Sequence, residues 1–468
     1  MLHRKTSIYR RLVLPLTVLI LLQALFSYAS VYVSGTADMI NQNAVHVLNQ
    51  TAENRKIILE NEMIQQWSNF QLVTGTINQK LTYFLNEKNV QISAFLEEDR
   101  LQTEFASLIS EQVISVLRTN SVTGAFLFLS GRTETDGSLA LPGVYFRDPN
   151  PKNNPMDYSD LVMVRGNKKI SHDLDIPFDV FWSMDQEGNQ DSESMRFFSY
   201  PYQEALKAPG LDYRNLGYWS RPFSLGGEGD PYRMITYSVP LIYDDQTVCG
   251  VLGIDISQEY LQDLIPAKEL EEKDQSGYIM ALEREDGVYE PLLAFGAAAS
   301  QLSQDNTRLT LQKEENELYL ISGAELFGSK AYATVQEFSL YNTNTPFSGD
   351  RWVLLAVTNY HQVFGLGERL LFLVGIAVCL TLAVGLLLTS LTASFVTRPI
   401  RRLAQNIQGG LPDVEGMKET RIEEIDNLRR VLQNLLEQQK KAEEQLLEEK
   451  ERYLAALDSS TGILFEYE

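Results

Sequence analysis

Two long stretches of the chain carry no charged residue, and they decide how everything else is arranged. The first runs from Leu12 to Val33 (LVLPLTVLILLQALFSYASVYV) and the second from Leu370 to Phe395 (LLFLVGIAVCLTLAVGLLLTSLTASF). At 1.5 Å per residue the shorter one makes about 33 Å of helix, enough to cross a hydrocarbon core of about 30 Å. Pro15 falls in the first turn and Gln23 is uncharged, so neither forbids a span. Arg4, Lys5, Arg10 and Arg11 precede the first stretch, and Arg398, Arg401 and Arg402 follow the second. Both basic clusters are expected on the cytoplasmic side, which leaves residues 34–368 outside and both termini inside. Ser27-Tyr28-Ala29 would suit a signal-peptide cleavage site, but the apolar run is long for one. The sequence therefore reads as an uncleaved anchor.

Charge follows the same division. The chain has a formal net charge of −22, yet residues 34–368 hold 24 Lys and Arg against 47 Asp and Glu. The acidic excess belongs to the exported block, and the flanking segments are close to neutral. Such a balance lacks the basic footprint of a nucleic-acid binder, so no nucleic-acid partner is expected. Cys249 lies in the exported block and Cys379 within the second stretch, so the two cannot pair. The exported block must hold together by its own core, which its size permits.

Within that block, apolar spacing predicts helices from Asp38 to about Asn86 and over Leu101–Leu117. Strand texture follows at Thr123–Leu129, Tyr232–Ile242 and Val248–Ile256, with a short polar loop joining the last two. A helix is predicted over Gln258–Leu264. Further strands are predicted at Gly277–Leu282, Gly287–Leu293, Arg308–Leu311, Glu317–Ile321, Ala331–Glu337 and Trp352–Val357. The expected fold is α+β: a long N-terminal helix followed by two antiparallel sheet lobes.

This order resembles the double Cache family of bacterial extracytoplasmic sensor domains, with two PAS-like lobes, over about residues 34–368. The resemblance is carried by Tyr218-Trp219-Ser220-Arg221-Pro222-Phe223, by Ile235-Thr236-Tyr237-Ser238-Val239-Pro240, by Gly250-Val251-Leu252-Gly253-Ile254-Asp255-Ile256, and by the strand Trp352–Val357 just ahead of the second stretch. It implies a small ligand, such as an amino acid or organic acid, held in the membrane-distal lobe near Tyr200–Asp255. Tyr218, Trp219 and Tyr237 are then candidate cavity walls, Arg221 a partner for a ligand carboxylate, and Asp255 an acceptor for a ligand ammonium. The competing structural roles are core packing for Trp219, a surface position for Arg221 and a helix N-cap for Asp255. Amino-acid-binding members typically carry Arg two residues before the Trp; this chain has Gly217 there.

Past the second stretch, Thr397–Ile407 places Ile400, Leu403 and Ile407 on one helix face. Gly409-Gly410-Leu411-Pro412 interrupts it, a polar connector runs to about Thr420, and a second helix opens at Glu423-Glu424-Ile425-Asp426. This arrangement resembles a HAMP linker, over about residues 397–445, and implies a homodimer through a parallel bundle. The second helix supports a two-chain seam: Ile425, Leu428, Leu432, Leu435, Gln439, Ala442, Leu446, Glu449 and Tyr453 follow a heptad spacing with two polar interruptions. Residues 446–468 resemble a signalling helix and the start of a PAS domain, with a strand at Ile463–Tyr467. The chain is expected to stop inside that domain.

Nothing in the sequence has the spacing of a catalytic or metal site. His3, His46, His172 and His361 are far apart, and there is no Walker loop or Gly-x-Ser-x-Gly elbow. Gly226-Gly227-Glu228-Gly229-Asp230 superficially resembles the signature of diguanylate cyclases, but it lacks the final Glu-Phe and lies in the exported block. It is read as a loop between strands. The chain is thus expected to be no enzyme itself, to need no cofactor, and to feed an output module beyond residue 468. A diguanylate cyclase is favoured for that output over a histidine kinase, a chemoreceptor being disfavoured by the terminal strand. A membrane-tethered ectoenzyme would need a nucleophile, base or metal cluster in 34–368.

Overall fold

The computed structural model describes residues 8–67, 70–131, 141–151, 159–179, 193–208, 210–224, 232–244, 246–270, 275–342, 344–408 and 423–463. The chain forms two compact units, Met1–Ala37 with Glu368–Glu468, and Asp38–Gly367.

In the larger unit the polar-apolar spacing of the N-terminal half gives helices α2 (Thr36–Trp67) and α3 (Phe70–Lys88), preceded by α1 (Ile8–Val33) of the other unit. Three shorter helices follow, α4 (Ile92–Glu97), α5 (Asp99–Leu108) and α6 (Ser110–Asn120). The first lobe then contains β1 (Gly124–Leu129), β2 (Gly143–Arg147), β3 (Val162–Arg165), α7 (Lys168–Asp173), α8 (Arg196–Lys207), β4 (Tyr218–Trp219), β5 (Met234–Tyr243), β6 (Thr247–Ser257) and α9 (Gln258–Leu264). Its six strands form one antiparallel sheet in the order β3-β2-β1-β6-β5-β4. The second lobe contains β7 (Ser276–Glu285), β8 (Val288–Phe295), α10 (Ala297–Asp305), β9 (Leu309–Lys313), β10 (Tyr319–Leu326), β11 (Ser329–Glu337) and β12 (Arg351–Asn359). Its sheet closes on itself in the order β10-β11-β12-β7-β8-β9. The expected α+β class with two antiparallel lobes is found. Closure of the second lobe was not foreseen, because it depends on short pairings of β9 with β8 and β10.

Alternation within the strands splits the core in two. In β5, Ile235, Tyr237, Val239 and Leu241 join a cluster with Leu59, Phe70, Leu81 and Phe105 of the helices. Met234 faces the other way, into a cluster with Phe126, Phe128, Tyr145, Phe197 and Phe223. Pro240 is tolerated in β5 because β4 covers only Ser238 and Tyr237, so the missing N–H faces no neighbouring strand.

Arg55 on α2 ties the lobes together. Its Nη1 donates to the Leu264 carbonyl at the end of α9 (2.7 Å), and its Nε donates to Glu269 Oε1 (2.7 Å) in the segment leading to the second lobe. Glu269 also accepts from the Tyr278 hydroxyl of β7 (2.6 Å). Hydrogen bonding to Glu269 raises the Arg55 pKa above its ordinary value. Removing the guanidinium leaves a half-buried carboxylate without its cation, so Arg55→Met is expected to cost about 2–3 kcal/mol in urea unfolding. A loss below about 0.5 kcal/mol would reduce the pair to an ordinary surface contact.

In the smaller unit, α1 presents Leu14, Leu19, Leu25 and Phe26 to the outside, and α11 (Tyr360–Gln408) presents Phe372, Leu380, Leu387 and Phe395. Both helices are long and apolar enough to cross a membrane. Exposed apolar side chains over a whole helix are what lipid, rather than water, accommodates. The last helix, α12, runs unbroken from Glu423 to Ile463. The strand expected from Ile463 therefore does not begin there; Leu464–Tyr467 lie outside the described residues, as do the connector Gly409–Thr420 and the loop Gly226–Asp230. Along α12, Leu428, Leu435, Leu446 and Tyr453 of the heptad seam are exposed in the single chain.

Candidate functional site

The strand register of the first lobe lines up chemistry-bearing residues in rows. Arg147, Gly124, Asp255 and Thr236 lie opposite one another across β2, β1, β6 and β5. The next row holds Tyr145, Phe126, Gly253, Ser238 and, on β4, Tyr218. Residues paired across strands share a face, so both rows occupy the face covered by α8.

Asp255 is the centre of the first row and is fully buried. Its Oδ1 accepts from Thr123 Oγ1 (2.8 Å) and the Tyr232 hydroxyl (3.2 Å), and its Oδ2 accepts from the Tyr145 hydroxyl (2.7 Å). The Arg147 guanidinium stacks on the Tyr232 ring, 3.2 Å from its centroid. Burial pushes the Asp255 carboxyl above its ordinary value, opposed by the charge of Arg147 and the hydroxyl donors. Burial, reinforced by the Asp255 charge, pushes the Tyr145 phenol well up, so it stays a donor. Gly124 is required here: a Cβ at that position would collide with the Asp255 carboxylate and the Tyr145 ring.

Thr236 Oγ1, opposite Asp255, and Ser238 Oγ in the next row are buried with no hydrogen-bond partner among the described residues, as is Ser199 Oγ on α8. A buried hydroxyl without a partner among the described residues keeps its donor and acceptor capacity for a bound molecule or water. Phe126, Phe197 and Phe223 form an aromatic bed next to them, with Phe126 5.1 Å from Phe197 and Phe197 stacked 5.3 Å from Phe223. A carboxylate with hydroxyls and aromatic rings around it can hold a cation through charge, hydrogen bonds and ring faces.

The five residues singled out from the sequence do not share this place. Asp255 sits at its centre, and the helix N-cap beside it is Ser257, whose Oγ accepts from the Tyr260 N–H (3.1 Å). Tyr218 occupies the same face, its ring 5.1 Å from Tyr200 of α8 and 4.9 Å from Phe347 of the second lobe. Trp219 and Tyr237 pair across β4 and β5 on the opposite face, with rings 5.1 Å apart, in the core against the helices. Arg221 already has carboxylates, Glu193 at 3.4 Å and Glu290 of the second lobe at 3.6 Å. Gly217 is explained locally, because any side chain there would run into the Tyr237 hydroxyl.

Tyr145, Tyr232, Arg147, Thr123 and the three hydroxyls were not picked out from the sequence. The Val144-Tyr145-Phe146-Arg147 alternation of polar and apolar character was the available signal, carried by a strand of only five residues.

Residues 128–263 match the family model described as methyl-accepting chemotaxis protein-like, first PDC sensor domain. No curated protein matches the chain. Among solved structures, the periplasmic sensory domain of the Campylobacter jejuni chemoreceptor Tlp1 aligns at 10% identity and TM-score 0.41, covering 69% of this chain and 98% of that one. The extracellular domain of the putative histidine kinase soHK1S-Z6 aligns at 14% identity and TM-score 0.33, covering 70% and 98%. The ligand-binding domain of the Pseudomonas aeruginosa PAO1 amino acid chemoreceptor PctB, in complex with L-Arg, aligns at 13% identity and TM-score 0.31, covering 69% and 97%. With TM-scores below 0.5, these likenesses assign neither ligand nor output. The match over 128–263 falls on the lobe that holds Asp255, so that lobe is similar to a PDC sensor domain, and it lies in sequence between two helices apolar enough to cross a membrane.

Proposed function

We propose that the chain is the input portion of a transmembrane receptor whose first lobe binds a small ammonium-bearing ligand, an amino acid or amine, against Asp255. The observation that carries this reading is the fully buried carboxylate on a sheet face where the Thr236 and Ser238 hydroxyls, in its own row and the next, lack partners among the described residues. Asp255 would take the ammonium, Thr236, Ser238 and Ser199 would take polar groups of the ligand, and the Phe126–Phe197–Phe223 bed would take its apolar part. Arg221, engaged by Glu193 and Glu290, is a poor carboxylate clamp. The reading assigns binding and transmission to this chain, not catalysis, and calls for no cofactor or metal.

On the other side of the bilayer, with both termini cytoplasmic, the HAMP-like segment and α12 would pair with a second copy. The exposed heptad positions Leu428, Leu435, Leu446 and Tyr453 support that pairing. A ligand then acts by differential affinity for two arrangements of this dimer. For the output beyond residue 468, a diguanylate cyclase or histidine kinase remains the proposal where α12 gives way to a PAS domain. A chemoreceptor is the second reading, favoured by the family model over 128–263 and by a helix that continues through Ile463. Sequence downstream of residue 468 separates them: continued heptads mean a chemoreceptor, a nucleotide-binding or cyclase domain means the first reading.

Ligand binding is tested by thermal unfolding of the full chain in nanodiscs against amino acids, amines and organic acids. At one hundred times Kd a ligand adds about 2.7 kcal/mol of stability. A saturable rise in Tm with an ammonium compound is expected; stabilisation by organic acids alone would overturn the role of Asp255.

A further inference from the structure

The loop joining β11 to β12, residues 338–350, belongs to the second lobe in sequence but packs against the first. Phe338 and Leu340 are buried in the same cluster as Trp219 and Tyr237. The Ser339 N–H donates to Glu60 Oε1 on α2 (2.6 Å), which fixes the base of the loop. The Tyr341 hydroxyl accepts from the Trp219 N–H at 3.0 Å and meets the Trp219 carbonyl at 3.4 Å. β4 is the outermost strand of its sheet, so these two groups face no neighbouring strand. One phenol does the work of a strand there, and an exposed edge is closed. Burial keeps that phenol protonated by pushing its pKa well up.

Further along, the Phe347 ring lies 4.9 Å from Tyr218 and stacks 6.5 Å from Tyr200 of α8. Asp350 then meets Arg284 (3.5 Å), which pairs with Glu290 (2.7 Å), the carboxylate shared with Arg221 of the first lobe. Directly after Asp350 comes β12, and directly after β12 comes α11, the helix that contains the second apolar stretch. Loops normally run over a surface with few buried side chains. This one sets Tyr341 against the free edge of β4 and Phe347 against the Tyr218 ring on the face that α8 covers.

We propose that residues 338–350 are the coupling strap between the lobes: Tyr341 and Phe347 register the position of β4 and α8, and the strap passes a displacement there to β12 and the helix beyond it. The direction of travel rests on the reading of the first lobe as the ligand lobe; the coupling itself does not. Tyr341 and Phe347 act as positioning residues, since neither belongs to the Asp255 cluster.

The test needs no ligand, so it fails or succeeds independently of that reading. Amide hydrogen exchange is followed by mass spectrometry on the full chain in nanodiscs. Tyr200→Ala removes a half-exposed ring and leaves the core intact, yet is expected to raise exchange across residues 338–350 and the first half of β12 about tenfold. In a Phe347→Ala background the same change should add less than about twofold, because the contact that carries it is gone. Tyr341→Phe keeps the ring and should raise exchange at the Trp219 amide. A rise confined to residues 196–243, or effects of Tyr200→Ala and Phe347→Ala that simply multiply, would overturn the strap. An unchanged Trp219 amide in Tyr341→Phe would do the same for the role of the hydroxyl.

Discussion

Asp255→Ala is expected to destabilise the Asp38–Gly367 unit by about 3–5 kcal/mol, measured by urea unfolding of the full chain. The side chain is fully buried and is the common acceptor for Thr123, Tyr145 and Tyr232. Truncation takes the acceptor from the Tyr145 and Tyr232 hydroxyls, leaves Thr123 only the Asp255 carbonyl (3.1 Å), and takes a counter-charge from Arg147. Asp255→Asn should cost less, because an amide oxygen still accepts from two of the donors while its NH₂ opposes the third. The pair of variants also reports the ionisation of the group. Burial raises the Asp255 pKa in the folded chain, so between its unfolded and folded pKa values the folded state holds the extra proton. Stability from this residue is therefore greatest below the unfolded value of about 3.9 and declines as pH rises through the folded value. The wild type should gain on Asp255→Asn as pH falls from 7 towards 4. A gap that narrows on acidification would mean that Arg147 and the hydroxyl donors outweigh burial and hold the pKa below its unfolded value.

Trp219→Ala carries the second largest expected effect, about 3–5 kcal/mol, and by a different route. Trp219 is fully buried between the sheet and the helices, against Tyr237, and truncation opens a large cavity in the main core. Its backbone groups remain bonded to Tyr341, so β4 should stay attached while the lobe loses stability. Because Trp219 faces away from the Asp255 row, Trp219→Phe should keep most of the stability and leave ligand affinity within about twofold. A loss of affinity beyond tenfold in Trp219→Phe, with the fold retained, would place the indole in the site.

The difference between these two residues marks how far the sequence was legible. The long strands β5, which alternates, and β6, which is apolar nearly throughout, were found close to their true ends, and so was α9. Asp255 stood out because a carboxylate interrupts an otherwise apolar strand. Its partners did not, since Tyr145 and Arg147 come from a five-residue strand and Tyr232 from a position just before β5. Which of them meet is set by cross-strand register, which no local period encodes. Alternation alone does separate Tyr218 from Trp219, because neighbours in a strand point to opposite faces; treating both as walls of one cavity overlooked that. The carboxylates that engage Arg221 are 28 residues upstream in one case and in the other lobe in the second. Helix α8 escaped notice because Pro201 interrupts its pattern, and α10 because it is a short run of small residues.

The most direct test of the account is a thermal-shift titration of the full chain in nanodiscs, wild type against Asp255→Asn. Amines and amino acids are titrated at several concentrations, with organic acids of similar size as controls. At least one ammonium compound is expected to raise the Tm of the wild type saturably, and Asp255→Asn, while still folded, is expected to lose that rise. A ligand that stabilises both proteins equally would contradict it.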